Sequence, residues 1–148
     1  MDATDKAILN RIQSDFPIST RPYAVIADEF NLSEDEIINR VQQLKKNGII
    51  RRIGGNFVPG KLGYVSTLCA GKVAEDKIET FAQMVNRYTG VTHNYVRENN
   101  YNVWFTFIAS SKELIEKYLT EISLKTGVTD IINLPATHIF KIKAHFIL

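Results

Sequence analysis

The sequence predicts an α+β chain in two parts, an N-terminal winged helix-turn-helix over residues 1–58 and a ferredoxin-like βαββαβ unit over residues 59–148. Two observations predict this. Apolar residues recur at helical spacing through the first 47 positions and then give way, after Pro59-Gly60, to segments that alternate at the period of a strand. The second part then reads strand, helix, strand, strand, helix, strand, which is the order of a split βαβ fold.

In the first part, Ala3 to Ser14 carries Ile8, Leu9 and Ile12 on one helical face and stops before Phe16-Pro17. A second helix over Pro22–Phe30 tolerates Pro22 in its first turn and buries Tyr23, Ile26, Ala27 and Phe30. Asn31-Leu32 turns the chain. Ser33 then caps a third helix, with Glu36 three residues on completing a capping box. That helix presents Ile37, Val41 and Leu44 inward and ends near Asn47, before Gly48. Ile49–Ile53 followed by Gly54-Gly55 reads as the strand and turn of a wing or linker.

In the second part, strands are expected over 64–73, 91–97, 101–109 and 136–147, with helices over 75–88 and 111–126. Glu98-Asn99-Asn100 is the tight connection between the two central antiparallel strands. In the third strand Tyr101, Val103, Phe105 and Phe107 form an apolar face for packing under the helices. In the last, His138, Phe140, Ile142, Ala144 and Phe146 share a face, which makes His138 a core histidine, with Lys141, Lys143 and His145 opposite.

Composition narrows the function classes. Cys69 is the only cysteine, which excludes an internal disulfide, a cysteine-based structural zinc site and an iron–sulfur cluster held by this chain alone. Cys69 itself reads as a small buried hydrophobe. With no long apolar run and no signal peptide, a cytoplasmic protein with no membrane partner is expected. Residues 1–60 hold eight Lys/Arg and eight Asp/Glu, so the head lacks the positive charge that supplies most of the affinity for DNA. The N-terminus of its third helix, where such a fold reads bases, is Ser33-Glu34-Asp35-Glu36, three carboxylates facing where phosphates would lie. DNA is therefore not the expected partner, and Arg40, Lys45 and Lys46 read as a solvated face.

The residues richest in chemistry lie in the strand Val91-Thr92-His93-Asn94-Tyr95-Val96-Arg97. Alternation puts His93, Tyr95 and Arg97 on one face and Thr92, Asn94 and Val96 on the other. An imidazole, a phenol and a guanidinium on one face suit an anionic ligand or catalysis, although cross-strand pairing would also use Tyr95 and Arg97. Trp104 points to the same side from the neighbouring strand, together with Asn102 and Thr106, there to contact a ligand or a partner subunit.

The pattern Asp5-x2-Ile8-Leu9-x2-Ile12-Gln13, Leu32-Ser33 and Arg40-Val41-x2-Leu44-x3-Gly48-Ile49-Ile50 resembles the Lrp/AsnC family, which joins a winged helix-turn-helix to a ferredoxin-like ligand-binding domain. Arg21-Pro22-Tyr23, Arg51-Arg52-Ile53-Gly54-Gly55, Gly63-Tyr64, Thr92-His93-Asn94-Tyr95 and Tyr101-Asn102-Val103-Trp104-Phe105-Thr106 are similar to the siroheme decarboxylases built on that scaffold. The resemblance implies a lyase of alternative haem or haem d1 synthesis. It removes the two acetate carboxyl groups of siroheme as CO2 to give 12,18-didecarboxysiroheme. It further implies an iron tetrapyrrole substrate with no other cofactor, and pairing with a homologous decarboxylase subunit or with a second copy.

On that reading His93, Tyr95 and Arg97 are the catalytic candidates, with His93 either a general acid or an axial ligand to the substrate iron. Arg51, Arg52, Arg21, Tyr23, Asn94 and Trp104 are the substrate-binding candidates. Arginine suits the task because its planar fork pairs carboxylates bidentately, though adjacent arginines in a wing also serve as phosphate contacts. The rival expectations are an Lrp/AsnC transcription regulator with a small effector, and a tetrapyrrole sensor without turnover.

Overall fold

The computed structural model describes residues 1–141 and 145–148, which divide into two compact units, Met1–Gly55 with Lys141–Leu148, and Asn56–Phe140. Each is built around its own core.

The first unit contains α1 (Ala3–Ser14), α2 (Pro22–Phe30) and α3 (Glu34–Lys46). Asp2 caps α1 through a reciprocal box with Asp5, each carboxylate accepting from the other's backbone N–H. Ser33 caps α3 by accepting from the Glu36 N–H. The return half of that box is not made, because the Glu36 carboxylate turns to Arg40. Asn31, in the left-handed conformation at φ 53°, turns the chain between α2 and α3. Gly48 at φ +73° ends α3, where a side chain would be strained. Ile8, Leu9, Ile26, Ala27, Ile37, Val41, Leu44 and Ile50 form the core, the helical stripes of the sequence with one residue beyond them.

The expected wing strand over Ile49–Ile53 is absent from the described structure. The Ile49 and Ile50 N–H groups both donate to the Leu44 carbonyl, which closes α3 instead of starting a ladder. The C-terminal residues belong to this unit. The Gln13 side-chain amide exchanges two hydrogen bonds with the Phe146 backbone, at 2.6 and 2.9 Å, and Asn10 does the same for Leu148 at 3.3 Å.

The second unit carries a short 3-10 turn (Pro59–Leu62), β1 (Val65–Gly71), a 3-10 turn (Glu75–Lys77) leading into α4 (Ile78–Val85), β2 (Val91–Val96), β3 (Val103–Ala109), α5 (Lys112–Thr126) and β4 (Ile131–Pro135). The strands pair antiparallel in the order β2-β3-β1-β4, so the βαββαβ arrangement is present. The helix expected over 75–88 is shorter. After Val85 the N–H groups of Arg87 and Tyr88 reach back only three residues, and the last turn tightens out of the α-helix.

The fourth strand is displaced from its expected place. It is Ile131–Pro135, paired from Ile131↔Gly71 to Pro135↔Thr67. Pro135 ends it, a residue without an N–H tolerated on an edge. Residues 136–141 and 145–148 form no strand; Ile142, Lys143 and Ala144 lie outside the described residues. His138 is consequently exposed, packed edge-on against Phe140 with centroids 4.5 Å apart, and is not a core histidine.

Both helices cover one face of the sheet. Cys69, Phe105, Phe107 and Val103 from the strands meet Phe81 and Val85 of α4 and Ile115, Leu119 and Ile122 of α5. The rings pack edge to face, Phe81 to Phe105 at 6.1 Å and Phe105 to Phe107 at 6.3 Å. No element of this unit covers the other face. That asymmetry positions the site. Among the described residues no helix is long and apolar enough to cross a membrane.

Candidate functional site on the open sheet face

A β-bulge sets the site. Val91 pairs with Phe107, but His93 pairs with Thr106, so Thr92 is an inserted residue without a cross-strand partner. In an unbroken strand residues 91 and 93 share a face. Here Val91 packs into the core with Phe107, while His93 joins Thr106 on the open face and Tyr95 joins Trp104. The bulge therefore lets the same short strand contribute to both sides.

The open face also takes Leu68 from β1, opposite Thr106, and Ile132 and Leu134 from β4, opposite Ala70 and Leu68. Its floor is apolar and partly exposed, with a polar rim along β2. Arg97 folds back over the aromatic pair. Its guanidinium carbon is 5.0 Å from the Tyr95 ring centre and 5.3 Å from that of Trp104, and Nη2 donates to the Tyr95 hydroxyl at 3.3 Å. Trp104 is oriented by its indole N–H, which donates to the Tyr101 carbonyl at 2.6 Å.

The β2–β3 hairpin is fastened at its tip. The Arg97 N–H donates to the Asn102 carbonyl at 2.8 Å. The Asn102 side chain both accepts from and donates to the Val73 backbone, at 2.9 and 2.8 Å, so Asn102 serves as a brace rather than joining Trp104 on the open face. The Tyr101 hydroxyl donates to Asp130 at 2.8 Å, and that bond raises its pKa above the usual phenol value. Tyr101 is thus tied to the loop before β4 and does not sit in the buried stripe with Phe105.

The sequence-named residues therefore separate. His93, Tyr95, Arg97 and Trp104 come together on the open face. Asn94 does not join them: it pairs opposite Phe105, and its side-chain amide donates to the Ala82 carbonyl at 3.3 Å and to the Asn86 side chain at 3.0 Å, which ties β2 to α4. The other three arginines and Tyr23 lie in the first unit. Arg21 is paired with Glu34, and Tyr23 is half-buried with its ring edge-on to Phe16 at 5.8 Å. Arg51 and Arg52 are exposed, with no ion-pair partner among the described residues. Sequence reading missed Thr92 as the bulge and the apolar floor of Leu68, Ile132 and Leu134. The alternation of Ser66, Leu68 and Ala70 along β1 was the available signal for the floor; nothing in the local sequence marks the bulge.

This plan, three helices and then a four-stranded sheet with its two helices on one face, defines a class. The structure of E. coli AsnC aligns over 97% of both chains with a TM-score of 0.80 at 20% identity, a likeness of fold. Residues 61–141 match the model of the AsnC-like ligand binding domain, and residues 5–51 that of the siroheme decarboxylase NirDL-like HTH domain. The siroheme decarboxylase alpha subunit of Desulfovibrio desulfuricans is 51% identical over 99% of this chain and 84% of its own length. A crystal structure of the siroheme decarboxylase NirDL in co-complex with an iron-uroporphyrin III analogue is 34% identical with a TM-score of 0.67. The match covers 90% of this chain but 44% of that one, so this chain spans just under half of NirDL. The chain belongs to the siroheme decarboxylase subunit family.

Proposed function

We propose that this chain is a cytoplasmic subunit of a siroheme decarboxylase, a carboxy-lyase that releases the two acetate carboxyl groups of siroheme as CO2 and leaves 12,18-didecarboxysiroheme. Close similarity to a named alpha subunit over nearly the whole chain supports the activity. The observation that carries the site is the meeting of His93, Tyr95, Arg97 and Trp104 on the sheet face opposite α4 and α5.

On this reading the face is one wall of a tetrapyrrole pocket. Trp104, Tyr95 and the apolar floor take the flat macrocycle, and the Arg97 guanidinium meets a carboxylate. Cleavage breaks the bond between the acetate methylene and its carboxylate. CO2 departs, the electron pair stays on the methylene carbon, where the macrocycle delocalises it, and a proton converts that carbon to a methyl group. His93, on the rim, is the proton source in this scheme; ligation of the substrate iron is the other role open to it.

Siroheme is rich in carboxylates, and the face supplies one guanidinium. Cations of the paired subunit are proposed to meet the others. The name of the alpha-subunit relative supports a multi-subunit enzyme, with a homologous subunit as the partner.

The head is proposed to be scaffold rather than DNA reader. Arg40 of α3 is engaged by Asp2, Asp5 and Glu36, with N–O distances of 2.8, 2.9 and 3.1 Å. Arg21 is engaged by Glu34. Cations spent on internal carboxylates release few phosphate counterions, so little affinity for DNA is left.

The test is anaerobic incubation with siroheme, alone and with a homologous subunit, followed by product mass. Loss of two CO2 units is expected. A bound but unchanged tetrapyrrole would make the chain a sensor, and tight, salt-dependent binding of one duplex would make it a regulator.

A further inference from the structure

We propose that Thr92 is a positioning residue for His93. The hydroxyl of this inserted bulge residue accepts from His93 Nδ1–H, so that Nε2 is the nitrogen presented to substrate. The inference rests on the preceding reading of His93.

Three features lead here. Thr92 has no cross-strand partner, because the ladder skips from Val91↔Phe107 to His93↔Thr106. Its Oγ1 lies 3.1 Å from His93 Nδ1. His93 pairs with Thr106 at the β2 rim of the open face, with Tyr95 and Trp104 forming the next pair along. One ring nitrogen is thus occupied from within the strand, and the other remains for chemistry.

The direction of this bond follows from the work assigned to the ring. A histidine that gives up a proton from Nε2 begins with protons on both nitrogens, so its Nδ1–H must have an acceptor. A hydroxyl accepts before and after the transfer, and the neutral ring is left with its proton on Nδ1. The same tautomer exposes the Nε2 lone pair to iron, since the nitrogen that reacts is fixed by the bond that the other one makes. Thr92 thereby serves either role of His93.

Both residues are exposed, so this hydrogen bond contributes at most about 1 kcal/mol to stability and its loss leaves the fold intact. Thr92→Val keeps the β-branched shape and removes the acceptor; Thr92→Ser keeps the acceptor. In full-length chain labelled with 15N-histidine, long-range 1H–15N correlation of neutral His93 should show the proton on Nδ1. It should show that again in Thr92→Ser, and on Nε2 in Thr92→Val. With siroheme as substrate, Thr92→Val should lower kcat about tenfold at nearly constant KM, and Thr92→Ser should restore it. A wild-type His93 with its proton on Nε2, or a tautomer unchanged in Thr92→Val, would overturn the inference. Absence of siroheme turnover in the unmodified protein and its partner would instead overturn the functional reading, and the NMR result would still report on the bond.

Discussion

The Arg97 guanidinium carbon lies 5.3 Å from the centre of the Trp104 ring, on the face of the sheet opposite α4 and α5. A cation spread over aromatic rings is pre-organised to meet a carboxylate beside a flat apolar ligand. Arg97→Ala should therefore lower kcat/KM for siroheme about ten- to hundredfold, the range of about 1.5–3 kcal/mol for a hydrogen bond to a charged group. Arg97→Lys should recover only part of it, because an ammonium loses the planar fork. The side chain is exposed, so the melting temperature should hold. Equal loss of stability and activity would assign Arg97 to the fold instead.

Gly90 precedes the bulged strand. A Cβ there would sit 2.0 Å from the Ile108 carbonyl oxygen, which is backbone and cannot swing away. The Gly90 carbonyl also accepts from the Ile108 N–H at 2.8 Å. Gly90→Ala should destabilise the second unit by about 1–3 kcal/mol, the usual cost of forcing atoms into a filled site. Urea unfolding would measure it. A change within error would mean that β2 is free to shift away from β3.

These two residues show what could be read from the sequence and what could not. The helices of the head and the two-part plan were legible because Ile8, Ile26, Ile37, Val41 and Leu44 repeat at a helical period and the caps are local. The sharing of a face by His93, Tyr95 and Arg97 followed from alternation alone. The bulge at Thr92 did not, because only the cross-strand register with β3 reveals an inserted residue. The last strand was misplaced for a related reason. Residues 136–147 alternate better than Ile131–Pro135, yet pairing with β1 selects the earlier segment directly after α5. Asn94 and Asn102 looked like polar site residues, and their amides instead fasten backbone and helix.

Cys69 is fully buried in the core beside Phe105, and burial, with a smaller contribution from the Glu116 charge, pushes its thiol up to about 12. Almost no thiolate exists near neutral pH. Iodoacetamide at pH 8 should leave the native protein unlabelled and label it once denaturant is added. Rapid labelling of the folded chain would mean that the second unit opens readily.

The head carries an acid-sensitive ion-pair network. The Arg40 side chain, with help from the Asp5 backbone N–H, holds the Asp2 carboxyl below its usual value, and Arg11 does the same for Glu29. A depressed carboxylate stabilises the fold above its unfolded pKa, near 4, and that contribution is lost as pH falls through the lower folded value. Stability of the head should thus be flat from pH 7 to about 5 and decline below about 4. Arg40→Met should shallow that decline. Hydrogen exchange of α1 and α3 amides across this range would report it, and an identical acid profile in the variant would remove Arg40 from the account.

The central claim is that His93, on the open face beside Tyr95 and Trp104, works on siroheme. It is tested most directly by anaerobic turnover of His93→Ala with the homologous subunit, read as product mass against the unmodified chain. The account predicts that the variant folds normally and still binds the tetrapyrrole, with decarboxylation slowed about a hundredfold or more, as loss of a positioned proton donor does. Release of both CO2 units at the unmodified rate would contradict it.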